Sequence, residues 1–383
     1  MAEDANAQES TRSDVTGWRS LSRNPLWAVV AWVLFIKLTL FGLIAAAVPA
    51  LADRATPWWK LLNQWDAQRY LAIARDGYVA NGPERFYLVG FPFYPWMVRA
   101  VSWLGFSIPW AALVVSGMAS IAAGWWLYRL TREDEAETTS RLAVWFLFIF
   151  PTSYFLHIAY TEATLLALAV GSFLAARKER WALAGMLAGL AALTRMNGLI
   201  LLPALMVEAW LQYRACRRFD WRWLWLFGVP CGFGVYLWVN YHVTGDALAF
   251  TKLMDEKFYR ALAPPWVGAQ SLWESLQTSS ARDYVTVGVA EMVFTVLGLV
   301  FTIWSWCVLR ASYSVWMTGN FLLSVCSTYV LSVPRYTLLM FPIFILFARW
   351  SRHRPGWFVG LTTWSLLLLA LFSIKCAFGH WAF

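Results

Sequence analysis

The sequence predicts an all-α polytopic membrane protein, one bundle of about eleven transmembrane helices with two long outer loops. Three observations predict it. Hydrophobic residues fill 60% of the 383 positions and charged residues 14%, and the mean hydropathy is +0.52, outside the range of soluble domains. Apolar runs near the roughly 20 residues that a bilayer crossing needs recur along the chain. Lys and Arg concentrate in short loops between alternate runs.

Taken in order, residues 1–24 are rich in Ser, Asp, Glu and Gln and read as a disordered cytoplasmic tail, not a signal peptide. Residues 25–383 then form one transmembrane domain. Pro25 opens a first span over 26–50, where a lone Lys37 must snorkel, pair or line a cavity. The long polar segment 51–106 follows, and its Trp58-Trp59 suits the aromatic belt of a membrane interface. Within it, 63–78 reads as a short capped helix. Asn63 is the N-cap, Gly77 the stop, and Leu62, Trp65, Leu71 and Ile73 the apolar side. Asp66 and Arg69, three apart, share a face. Pro92 and Pro95 predict a rigid bend.

Further spans are predicted at 107–128, 142–160, 162–176, 181–193, 199–213 and 223–241. A second polar segment, 242–284, precedes spans at 285–309, 312–333, 337–348 and 357–376. No repeat of fixed period and no soluble second domain is visible. With the N-terminus inside, the short loops 129–141, 177–180, 214–222, 310 and 349–354 fall on the cytoplasmic face, and 51–106 and 242–284 lie outside. That distribution accounts for the net charge of +9 without nucleic acid as a partner. Five scattered cysteines and four isolated histidines give neither a disulfide framework nor a metal motif.

The same assignment brings Asp66, Glu162, Arg195, Asn197 and Arg335 to the non-cytoplasmic surface from four separate places. Charged groups at tight corners are expensive near lipid unless they pair or meet a ligand. Each has a structural alternative. Asp66 and Glu162 suit the first turn of a helix, Arg195 and Arg335 suit snorkelling anchors, and Asn197-Gly198 is a turn dipeptide. Their convergence is what points to an amphiphile with an anionic head.

Trp65-Asp66 followed by Tyr70, Ile73-Ala74 and Gly77-Tyr78, then Phe91-Pro92 and Tyr94-Pro95, resembles the first outer loop of the PIG-V family. That family includes the second mannosyltransferase of GPI-anchor synthesis and bacterial relatives. Tyr160-Thr161-Glu162-Ala163 is similar to its Tyr-Ser-Glu-Ala corner. Thr194-Arg195-Met196-Asn197-Gly198 resembles its Arg-Ser-Asn-Gly motif, and Pro334-Arg335-Tyr336 a later outer-face motif. The 242–284 segment departs from the family pattern apart from Trp266.

The resemblance implies a GT-C-like bundle and a glycosyltransferase that draws mannose from a polyprenyl-phosphate-mannose donor. It implies Asp66 as general base. The converging charges add Arg195 and Arg335 as expected donor-phosphate contacts, with Trp65, Arg69, Tyr70, Glu162, Asn197 and Tyr336 around the sugar or acceptor. No metal ligand and no cofactor beyond the lipid-linked sugar is expected. The partners implied are that donor, a membrane-associated acceptor and the surrounding lipids. The implied location is a bacterial plasma membrane with the site on the outer face, or an endoplasmic reticulum with the site in the lumen.

The residue inventory suits that chemistry. A sugar on a lipid phosphate carries a good leaving group, so one carboxylate to take the acceptor's proton and cations for the departing phosphate suffice. A glycosidase normally needs two carboxyl groups flanking the bond, and neither polar loop holds the Asp-x-Asp metal motif of nucleotide-sugar enzymes. A transporter or lipid flippase is the alternative. It places polar groups at mid-membrane depth and often shows inverted repeats.

Overall fold

The computed structural model describes residues 24–52, 58–280 and 283–383. All but the last residue of the expected tail, 1–24, and the side chains of Trp58-Trp59 lie outside what it describes. In chain order the helices are α1 Pro25–Ala52, α2 Trp58–Leu61, α3 Asp66–Asp76, α4 Phe93–Ser102, α5 Ile108–Thr131 and α6 Glu137–Ile149. There follow α7 Glu162–Arg177, α8 Trp181–Thr194, α9 Leu201–Cys216, α10 Gly228–Thr244, α11 Ala249–Phe258 and α12 Pro265–Thr278. The chain closes with α13 Glu291–Val308, α14 Ala311–Val325, α15 Val333–Leu339, α16 Pro342–Ser351 and α17 Pro355–Ala377. Among the described residues there is no strand, only an isolated antiparallel bridge between Leu262 and Ser327.

The bundle is that of an integral membrane protein. Among the described residues six helical segments are long and apolar enough to cross a bilayer: Pro25–Ala47, Ile108–Thr131, Met196–Cys216, Trp221–Thr244, Tyr284–Val308 and Pro355–Ala377. Joining α15 to α16 would make a seventh, but the two meet at 80°. In place of the expected spans, about eleven in number, the described residues form six long helices around shorter ones. The predicted span 142–160 ends as a helix at Ile149, and its remainder, with a 3₁₀ turn at Ser153–Leu156, is irregular and buried. The predicted span 312–333 stops at Val325. The 242–284 segment is not a plain loop but holds α11 and α12.

Burial explains the short elements. In α7, 14 residues are buried, leaving no lipid-facing side, and α16 buries eight of its ten. A helix apolar all round that is enclosed by other helices has no need to match the bilayer thickness. Glycine sets one contact: α8 meets α10 so closely that a Cβ on Gly232 would stand 2.0 Å from the Gly189 carbonyl oxygen. Small residues permit such backbone approach between membrane helices.

Two local readings need correction. The helix over 63–78 begins at Asp66, not after an Asn63 cap; Trp65 occupies the N-cap with φ 53° and makes no capping bond. Gly77 does stop it, at φ 85°, where a side chain would be strained. Pro92 and Pro95 do not form a bend between helices. They lie at the cap and in the first turn of α4, where the missing N–H would have had no intrahelical partner.

Candidate active site

The candidate site forms where the first turns of α3, α7 and α15 meet the end of α8 and the 3₁₀ helix Met196–Ile200 that follows it. Asp66 opens α3 directly after Trp65, whose left-handed φ is costly for a bulky residue. Tyr160 helps hold this turn, its hydroxyl donating to the Gln64 carbonyl at 3.0 Å. Tyr70, one turn along α3, packs edge-on to Tyr94 and Tyr160 with centroids at 5.7 and 6.3 Å.

Arg335 sits on α15, a helix of seven residues that packing and capping must stabilise. The Glu291 carboxylate accepts the backbone N–H groups of Ser332 and Val333 at 2.6 and 2.7 Å, satisfying donors that a helix start leaves open. Thr152 donates its hydroxyl to the Pro334 carbonyl at 2.9 Å. The guanidinium lies over the rings of Tyr160 and Phe155, 4.7 and 5.0 Å from their centroids, a cation–π arrangement.

From there the charges link into one network. Arg335 donates Nη1 to Asp66 Oδ2 at 2.8 Å and Nε to Glu162 Oε1. Arg69 reaches the other Asp66 oxygen at 3.1 Å. Arg195 pairs with Glu162 Oε1, donates to Thr161 Oγ1 at 3.3 Å and to Asn197 Oδ1 at 3.1 Å, and lies 5.1 Å above the Tyr336 ring. Asn197 passes its amide on to Asn320 Oδ1 at 2.8 Å. Asn197-Gly198 is thus less a surface turn than a packed corner, since a Cβ on Gly198 would stand 2.2 Å from the Ala191 carbonyl carbon of α8.

The electrostatics favour an anion. Three guanidiniums face two carboxylates. Glu162 is 0% exposed and Arg335 6%, whereas the Asp66 side chain keeps 28% of its surface open. Burial pushes the Asp66 carboxyl up, but Arg69 and Arg335 outweigh it and hold it well below the usual carboxylate range. Arg335 Nη2 and Glu162 Oε2 are buried without a hydrogen-bond partner among the described residues. Buried polar atoms are rarely left so, and an unmatched guanidinium nitrogen beside a half-open carboxylate is a place for a ligand oxygen.

The structure brings together all the sequence-predicted site residues. Trp65 stands at the rim, 47% exposed and edge-on to Trp381 at 5.2 Å. Lys37 stands apart from the network, donating to the Leu113 carbonyl at 2.9 Å. Sequence reading missed Glu291, Asn320 and Thr152. Glu291 and Asn320 had a signal, being polar groups inside predicted spans. Among the described residues no three His, Cys, Asp or Glu side chains gather as metal ligands.

No family model and no curated protein matches the sequence. Among solved structures the chain is similar to ArnT from Cupriavidus metallidurans bound to undecaprenyl phosphate. The TM-score is 0.52 at 14% identity, over 95% of this chain and 72% of that one. It is also similar to the Archaeoglobus fulgidus oligosaccharyltransferase tethered with an acceptor peptide, with a TM-score of 0.45 at 13% identity over 93% and 55% of the two chains; that likeness is too low to carry weight. The fold is a GT-C-like helical bundle.

Proposed function

We propose that this protein is a membrane glycosyltransferase that moves a sugar, mannose by the family resemblance, from a polyprenyl-phosphate donor to a lipid or glycan acceptor on the non-cytoplasmic face. The observation that carries the reading is Arg335, buried between Asp66 and Glu162 with Nη2 unpartnered among the described residues. The ArnT structure of similar fold holds undecaprenyl phosphate, a donor-type lipid whose phosphate would suit Arg335 and Arg195 here.

In the transfer, the acceptor hydroxyl oxygen forms a bond to the anomeric carbon as the bond from that carbon to the phosphate oxygen breaks. The electron pair leaves on the phosphate, where Arg335 and Arg195 offset the growing charge. Asp66 takes the acceptor's proton. Because its neighbours hold it ionised, it is a weak base and acts late, as the attacking oxygen acidifies. A donor phosphate drawing Arg335 Nη1 toward itself loosens the 2.8 Å bond to Asp66, so donor binding readies the base. Attack opposite the leaving phosphate inverts the anomeric configuration. Glu162 and Asn197 hold Arg195 in place, and Trp65, Arg69, Tyr70 and Tyr336 surround sugar or acceptor.

Profiling the purified protein with labelled polyprenyl-phosphate mannose, glucose and arabinose derivatives tests this reading. Transfer from the mannosyl donor is expected; no transfer from any polyprenyl-phosphate sugar, across a panel of membrane lipid and glycan acceptors, counts against it.

A further inference from the structure

A second charged cluster lies at the other end of the bundle. Helix α7 carries Glu162 at its first residue and Arg177 at its last, so the two clusters stand about 22 Å apart at 1.5 Å per residue. Arg177 pairs with Asp134 at 2.7 and 2.8 Å, and Glu208, 0% exposed, accepts from Arg310 at 2.7 and 2.8 Å. Arg349 holds Glu135 and donates to the Val308 carbonyl at 2.6 Å. Asp134, Glu135, Arg177, Arg310 and Arg349 come from the loops that the positive-inside pattern assigns to the cytoplasm, and Glu208 joins them from α9.

Between them is a cavity of about 240 Å³ lined by Thr131, Asp134, Glu135, Arg310, Tyr313 and Arg349, with Leu309 and Ile345 as an apolar wall. One water needs only about 10–15 Å³. Its charged lining is balanced, two carboxylates against two guanidiniums. The pairs also leave groups over. The Thr131 hydroxyl is 1% exposed and has no hydrogen-bond partner among the described residues. Arg310 spends Nε and Nη2 on Glu208, and Glu135 spends Oε1 on Arg349, which leaves Arg310 Nη1 and Glu135 Oε2 without a protein partner among the described residues.

We propose that this cavity binds phosphoethanolamine, as the headgroup of a phosphatidylethanolamine in the facing leaflet. The phosphate takes the Arg310 Nη1 and Thr131 donors, the ammonium donates to Glu135 Oε2, and Leu309 and Ile345 face the start of the acyl chains. A zwitterion keeps the cavity neutral, whereas an anionic headgroup would leave Asp134 and Glu135 facing like charge. A choline headgroup has no N–H for Glu135, and quaternary ammonium groups are recognised by aromatic faces instead.

The test is native mass spectrometry of the full-length protein in detergent, titrated separately with dioleoyl phosphatidylethanolamine, phosphatidylcholine and phosphatidylglycerol. Retention of the ethanolamine lipid by about tenfold over each of the others is expected, the worth of one charge-assisted hydrogen bond. On protein that stays monodisperse, Glu135→Gln should bring that preference toward unity, whereas Thr131→Val, which removes a phosphate donor, should weaken retention of all three lipids alike. Competition with soluble O-phosphoethanolamine separates the sources: displacement shows that the headgroup alone suffices, and failure to displace shows that the lipid is the ligand. Equal retention of the three lipids by the wild-type protein, preference for phosphatidylglycerol, an unchanged preference in Glu135→Gln, or unchanged retention in Thr131→Val overturns the proposal. Transfer activity is not the readout, so the result is independent of the glycosyltransferase reading.

Discussion

Arg335 donates to Asp66 at 2.8 Å across 269 residues of sequence. The bond ties the opening of α3 to the short helix α15 near the end of the chain, and the same guanidinium holds Glu162 on α7. One side chain thereby fixes the relative placement of both carboxylates and keeps one nitrogen without a hydrogen-bond partner among the described residues.

Removing it should therefore be felt twice. Arg335→Gln leaves Glu162, fully buried, with Arg195 alone. Stripping one partner from a buried pair costs about 3–5 kcal/mol, so unfolding in detergent should come markedly earlier and transfer should be lost. Arg69→Gln removes an ion pair nearer the rim and should cost about 1 kcal/mol or less. Equal shifts in the two unfolding curves contradict this ranking.

The pH dependence follows from the depressed Asp66 carboxyl. A group whose folded pKa lies below its unfolded value, about 3.9 for Asp, contributes stability that is complete above that value. The contribution is lost as pH falls through the folded pKa. The same ionisation keeps the base active, so the acid limb of kcat/KM from Asp66 should lie below about pH 4. Arg69 is the foremost of the cations holding the carboxyl down, and Arg69→Gln should move that limb upward. A limb left in place by Arg69→Gln argues against Asp66 as the titrating base.

Glu291 should act through Arg335. Glu291→Ala leaves the Ser332 and Val333 N–H groups without their acceptor, a cost of about 1–3 kcal/mol for each buried donor left unmet. The variant should raise the donor KM more than it lowers kcat, with Glu291→Gln recovering part of the loss. A change in kcat alone points to another role.

Gly232→Ala probes the bundle away from the site. Its Cβ would stand 2.0 Å from the Gly189 carbonyl oxygen, a backbone atom that cannot turn aside, so α8 and α10 must separate. Overpacking of this kind costs about 1–3 kcal/mol, read as a lower yield of monodisperse protein. An unchanged yield and unfolding curve show that the seam is slack.

Much of this was legible in the residues. Apolar runs and basic loops show a helical membrane bundle, and the side assignment alone gathers Asp66, Glu162, Arg195, Asn197 and Arg335. What composition does not show is whether an apolar run meets lipid or protein. That is why α7 and α16, enclosed by other helices, read as spans. The backbone turn at Trp65 was hidden because a left-handed φ at tryptophan has no sequence signature, and Asn63 offered a better cap on paper. Glu291 carried a signal, a carboxylate inside an apolar run, but its partners are backbone N–H groups 41 and 42 residues away and sequence spacing does not reveal them.

The central claim is that Asp66 is the base of a sugar transfer, and Asp66→Asn addresses it most directly. The substitution keeps the shape of the side chain and removes its charge. Purified wild-type and variant proteins would be supplied with labelled polyprenyl-phosphate mannose and acceptor, with donor retention measured alongside. The variant is expected to fold, bind donor and lose about 10²–10⁴-fold in transfer rate. Wild-type transfer rates in a folded Asp66→Asn protein would contradict it.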